Sequence, residues 1–274
     1  MSFESIRKME IRVGDLELME SDVTVLGLHE KAPLEGPAAA LDRATNGQVA
    51  KALATGDFKG ELNEVLVVYP MQGPARRILV VGLGKGDEFT GEKIRAAAAT
   101  AARRARDLGA NQAAAFLFGK RTPVSLEDAA QAFAEGALMG SYQYLAYRTK
   151  DLEKIKVLER LVLLVPDQAF FTQAKAAFDR GVSVAGAVNY ARTLASHPGN
   201  YATPSFLAAE AQRIASDPAR RLRCTVFDRA KMVELGMGGS SASRRVRTSR
   251  LVSSCLSTTA EIPRLPPLPS WGRG

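Results

Sequence analysis

Seven short apolar runs, each separated from the next by helical or turn-rich sequence, leave this 274-residue chain few ways to fold. They read "MEIRV", "VTVLGL", "EVLVVYP", "RILVVGLG", "AAAFLF", "RLVLLVP" and "RCTVF". Such alternation predicts a layered α/β fold with a partly parallel sheet flanked by helices. The clearest helix follows "VVGLGKGDEFTG", where Ile94, Ala98, Ala101, Ala105 and Leu108 recur at helical spacing as one buried stripe. A second long helix is predicted from about Gln168 to Ser196, with Phe178, Val182, Ala185 and Val188 on one face. It closes at "SHPGN", where Pro198 and Gly199 break it. Thr203 then caps a new helix with Pro204 at its first position, which leads to the strand around "RCTVF". A domain boundary is expected within or just after the long helix. With 46% hydrophobic residues the chain can bury a core in one large or two smaller domains.

The formal charge of +8 suggests an anionic partner until its distribution is examined. Residues 240–274 hold six Arg and one Glu, a balance of +5, which leaves +3 for the first 239 residues. The basicity belongs mainly to the tail. No signal-peptide pattern opens the chain, and no apolar run approaches the roughly 20 residues of a membrane span, so a cytoplasmic location without membrane contact is expected. Cys224 and Cys255 have no spacing of a metal knuckle or redox pair and read as two unpaired thiols.

Three features invite a chemical reading. Gly82, Gly84 and Gly86 in "VGLGKGDE" sit between a strand and a helix, where an anion could bind. However, a dinucleotide fingerprint needs Gly where Asp87 stands, and a phosphate loop needs Ser or Thr where Gly86 follows Lys85. The plain strand-to-helix turn is the better reading. His29 and His197 are the only histidines, neither belongs to a helical His pair, and His197 suits a helix C-terminus. No Gly-x-Ser-x-Gly elbow is present. Arg103, Arg104 and Arg106 form a basic cluster that reads either as a solvated helix face or as a nucleic-acid contact.

The run "ARTLASHPGNYATPSFLAAEA", followed by "VFDRAKMVELGMGG", resembles the hinge and the opening of the catalytic domain in the cytosolic leucyl aminopeptidase family. The upstream "ILVVGLGKGDEFTGEKIRAAAATAARRA" is similar to that family's N-terminal domain. The resemblance covers residues 1–239. It implies a macro-like N-terminal domain over 1–165, a connecting helix over 166–199, and a truncated start of the catalytic domain over 200–239. For the full-length family it also implies a homo-hexamer that cleaves N-terminal residues from peptides. Two divalent ions, manganese or zinc, would activate water and polarise the scissile carbonyl there, held by carboxylates and a Lys. The family's ligands lie in a Val-Gly-Lys-Gly segment and an Asn-Thr-Asp-Ala-Glu-Gly-Arg segment, and neither is in this chain. The last Asp is Asp228 and the only acid beyond Gly239 is Glu261, so no catalytic or metal-binding residue and no cofactor is assigned to this chain.

From Ser240 the composition changes abruptly to eight Ser, four Pro and no Lys in 35 residues, which predicts a tail that forms no packed element. A shift of reading frame is the expected account of the change; the alternative, a genuine basic tail, explains the Arg content but not the decoding that follows. With permitted codons for Ser240 onward, one added base converts the residues to Phe-Leu-Gly-Val-Ala-Pro-Gly-Ser-Asp-Glu-Pro-Pro-Arg-Leu-Ile-Val-Leu-Glu-Tyr-Asn-Gly. That is two apolar strands around a polar turn, similar to the family's continuation. Ser270-Trp271-Gly272-Arg273-Gly274 shifts to a permitted apolar-apolar-Gly-Lys-Gly. The expected function is therefore the N-terminal portion of an aminopeptidase, inactive alone. The alternatives are a nucleic-acid-binding macro-like domain and a fragment that joins full-length subunits.

Overall fold

The computed structural model describes residues 3–118, 123–218, 222–237 and 253–258. Two compact units divide the chain between Thr193 and Leu194.

In the first unit the strands β1 (Phe3–Glu4), β2 (Lys8–Val13) and β3 (Val23–Leu28) lead into helices α1 (Pro37–Ala44) and α2 (Gln48–Leu53). Then come β4 (Val65–Val68), β5 (Ile78–Gly82), α3 (Gly91–Asp107), β6 (Gln112–Phe116), α4 (Leu126–Ser141), β7 (Gln143–Tyr144), β8 (Arg160–Val165) and α5 (Gln168–Ser196). Six strands form one sheet in the order β2-β8-β6-β3-β5-β4, parallel except for β4, which is antiparallel to β5. The fold is thus a mixed sheet flanked by helices. The two-residue strands β1 and β7 pair separately.

The alternation of side chains along each strand sorts them to two cores. Val25, Leu79, Val81, Ala113, Ala115, Leu161 and Leu163 join Ile94, Ala98 and Ala101 of α3, Phe133 of α4 and Phe178 of α5. Their neighbours Leu26, Val80, Ala114, Val162 and Leu164 join Leu41 of α1 and Val49 of α2. Because both faces are covered, the central strands read as continuous apolar runs. Helix α3 starts where its Thr90 side chain accepts the Lys93 amide, and Ser125 does the same for α4 through Asp128. The two helices cross closely at Gly136 and Gly140, since a Cβ there would lie 2.2 Å from the Arg95 carbonyl oxygen and 2.4 Å from the Ala99 Cα. Helix α5 packs onto the first unit through Ala174, Phe178 and Ala185. Its stripe continues through buried Asn189 and Thr193, whereas Val188, expected on that face, is 36% exposed.

The second unit contains α6 (Pro204–Ala215), β9 (Leu222–Phe227), α7 (Arg229–Glu234) and β10 (Ser253–Thr258). Thr203 caps α6 by accepting the Phe206 amide, with Pro204 in the first turn. Strands β9 and β10 pair antiparallel, Ser253 opposite Phe227 and Thr258 opposite Leu222. Strand β10 lies within residues 240–274, where the composition predicts no packed element: backbone pairing with β9 does not depend on the Ser-rich side-chain composition behind that expectation. The tail's remaining residues, 240–252 and 259–274, lie outside the described residues.

Candidate functional site

The glycine-rich turn after β5 is built for packing. A Cβ on Gly82 would lie 1.9 Å from the Glu61 carbonyl oxygen, and Gly84 has a positive φ of 71°. The facing loop is closed by Glu64, whose Oε2 accepts the amides of Lys59, Gly60 and Glu61 at 2.8–3.0 Å. The amide cradle of this region therefore already holds an anion, its own carboxylate. Lys85, the residue a phosphate loop would use, lies 3.4 Å from Glu88, which also meets Lys93 at 3.2 Å. The hydrogen bond from Lys93 and the nearby charge of Lys85 hold the Glu88 carboxyl below its ordinary range. His29 donates its Nδ1–H to the Gly84 carbonyl at 3.0 Å and sets its ring edge-on to Phe89.

At the carboxyl ends of β3, β5 and β6, where open α/β sheets place their ligands, lies a cavity of about 200 Å³. Leu26, Leu28, Leu83 and Phe116 line it, and among the described residues its ionisable groups are His29 and Glu35. Buried strand ends form one wall and the exposed 32–36 loop the other, and among the described residues no carboxylates converge on it.

The basic cluster divides. Arg103 and Arg104 are exposed on α3. Arg106, with its side chain 13% exposed, is turned onto its own unit, pairing with Asp107 at 2.8 Å and donating to the Ser141 carbonyl at 3.2 Å. Only two of the three arginines face solvent. In the second unit His197 packs against Tyr201 and Phe206, with ring centroids 4.4 and 5.7 Å away. The "SHPGN" turn thus anchors the approach to α6 through aromatic contact. Among the described residues, no group of three or more His, Cys, Asp or Glu could hold a metal ion. No described helix is long and apolar enough to cross a membrane.

Comparison with known proteins gives this architecture a lineage. The profile described as "Cytosol aminopeptidase family, N-terminal domain" matches residues 25–151. The "probable cytosol aminopeptidase" of Roseiflexus castenholzii is 36% identical over 237 residues, 85% of this chain and 45% of that protein. The protein of the same name from Nitrosococcus oceani is 30% identical over 234 residues, 85% of this chain and 46% of its own. This chain spans about half the length of the relatives it matches. A mutant of tomato leucine aminopeptidase superposes with a TM-score of 0.78 over 94% of this chain and 52% of its own, and at 22% identity this is a likeness of fold. The bottromycin maturation enzyme BotP, solved in complex with Mn, superposes with a TM-score of 0.62 at 26% identity, over 81% of this chain and 41% of its own. Residues 25–151 are therefore the N-terminal domain of the cytosol aminopeptidase family, and this chain carries that family's N-terminal region.

Proposed function

We propose that the chain is the N-terminal portion of a cytoplasmic leucyl aminopeptidase, separated from its catalytic half by a change of reading frame after Gly239, and that the 274-residue chain has no peptidase activity. One observation carries this reading: the likeness takes in the family's N-terminal domain and less than half the length of the relatives, and among the described residues the donors of a two-metal site are not gathered. Peptide substrates, two manganese or zinc ions and a hexameric assembly belong, on this reading, to the full-length protein. The residues present do not fit such a metal pair. Two divalent ions need several converging carboxylates, and beyond Gly239 the chain supplies only Glu261.

The position of β10 supports the shift of frame. With the permitted codons used above, the six residues Ser253–Thr258 that pair with β9 become Leu-Ile-Val-Leu-Glu-Tyr on adding one base. That is strand-forming sequence where the present residues are mostly Ser and Thr. The test is leucyl-p-nitroanilide hydrolysis with added manganese. The purified 274-residue chain is expected to give no turnover above buffer, and chelator-sensitive turnover would overturn the reading.

A further inference from the structure

The outer side of helix α5 is uncharged and largely apolar over its middle turns, its one exposed hydroxyl, Ser183, donating to the Asp179 carbonyl at 2.9 Å. Between Gly181 and Ala191, about three turns, it carries no charged residue. Val184 and Val188 are 42% and 36% exposed, and Ala187 and Ala191 are exposed beside them. The flanking cations are turned away from this surface. Arg180 donates to the Gln131 side chain at 2.9 Å, while Arg192 donates to the Met139 carbonyl at 2.9 Å and lies 4.1 Å above the Tyr142 ring. A solvated helix face ordinarily carries charge, and an uncharged apolar strip several turns long is ordinarily covered.

The size of the face selects its occupant. It measures roughly 16 Å by 10 Å, so contact would bury on the order of 300 Å² in total, against the 1,000 Å² or more that a stable association of separate chains requires. A second copy could not be held by this face alone. A segment of the same polypeptide could, because tethering supplies millimolar effective concentration. The relatives carry more than half of their length outside the matched region, and the match is to the family's N-terminal domain, which puts that length after it.

We propose that the outer face of α5 is the docking surface for the part of the family polypeptide that follows the region matched here. Its partner surface is uncharged, with larger apolar side chains seated over the small ones at 184, 187, 188 and 191. The proposal rests on the reading of this chain as a family N-terminal portion.

The test pairs two proteins. Val184→Glu with Val188→Glu is made in the 274-residue chain, and glutamate is placed at the two aligned positions of the full-length Roseiflexus relative. The melting temperature is expected to move by less than about 2 °C in the former and to fall by about 8 °C or more in the latter, or the latter leaves the soluble fraction. Serine at the same two positions gives a smaller fall in the relative, so a graded reading survives if the glutamate pair does not fold. An unchanged melting temperature in the relative overturns the proposal, because the face is then bare in the longer chain. Equal falls in both proteins also overturn it, because the cover then comes from this chain itself or its copies. Failure of the underlying reading has a different signature, peptidase turnover by the 274-residue chain alone.

Discussion

Around Glu10 three cations converge: Lys8 at 2.5 Å, Arg160 at 2.7 Å and Arg12 at 2.5 Å. The hydrogen bonds from Lys8 and then Arg160 lower its pKa from 4.5 to about 2. A carboxylate depressed in the folded state stabilises the fold above its unfolded pKa and loses that contribution as pH falls through the folded value. Glu10→Gln is therefore expected to cost on the order of 1 kcal/mol at pH 7, allowing for solvent screening, with the difference vanishing as pH falls from about 5 to about 2. Urea unfolding of both proteins at pH 7 and pH 2 checks this; an equal cost at both would assign the loss to packing. Gly136 is a second decisive residue. A methyl group there meets the Arg95 backbone, so Gly136→Ala is expected to destabilise the first unit by about 1–3 kcal/mol in the same measurement, against the usual preference of helices for Ala. A sequence shows such a glycine but not the backbone it must admit.

At the scale of elements, each of the seven apolar runs is a strand; burial on two covered faces makes the central runs β3, β5, β6 and β8 unbroken, while the edge strand β2 and the second unit's β9 mix apolar with charged or polar residues. The bounds of α5 were equally legible from the breakers after Ser196. The facing of Val188 was not. The inward stripe of α5 passes through Asn189 and Thr193, which are buried because the Asn189 amide donates to the Leu138 carbonyl at 3.0 Å and the Thr193 hydroxyl bonds the Tyr142 hydroxyl at 3.1 Å. Apolar periodicity cannot register a polar residue buried with its partner. The pairs β1 with β7 and β9 with β10 were unreadable for another reason, two-residue length in the first and Ser-rich composition in the second. Among the candidate site residues, the sequence identified the basic cluster but not the Asp107 and Ser141 partners that hold Arg106. The Thr203 cap, in contrast, was plain in the Thr-Pro pair. Thr203→Ala is expected to cost about 0.5–2 kcal/mol and to speed amide exchange within α6 while leaving α3 and α4 unchanged.

For the molecule as a whole, the second unit is the weaker. It exposes Tyr201, Leu207, Val233 and Leu235, the first two 49% and 42% exposed and the last two 61% and 50%. Limited proteolysis is expected to leave a resistant fragment ending near the division at Thr193, identified by mass spectrometry. Removing residues 240–274 lowers the formal charge from +8 to +3, so any retention of DNA at low salt is expected to disappear with the tail. Retention by residues 1–239, lost on replacing Arg103 and Arg104, would instead locate a site on α3. The central claim, that an aminopeptidase's N-terminal region is here read out of frame beyond Gly239, is tested most directly by sequencing the DNA from the Gly239 codon through the following few hundred codons. The frame entered by adding one base is expected to run on through Val-Gly-Lys-Gly and Asn-Thr-Asp-Ala-Glu-Gly-Arg. Absence of both segments from every frame would contradict the claim and leave the tail as this chain's own.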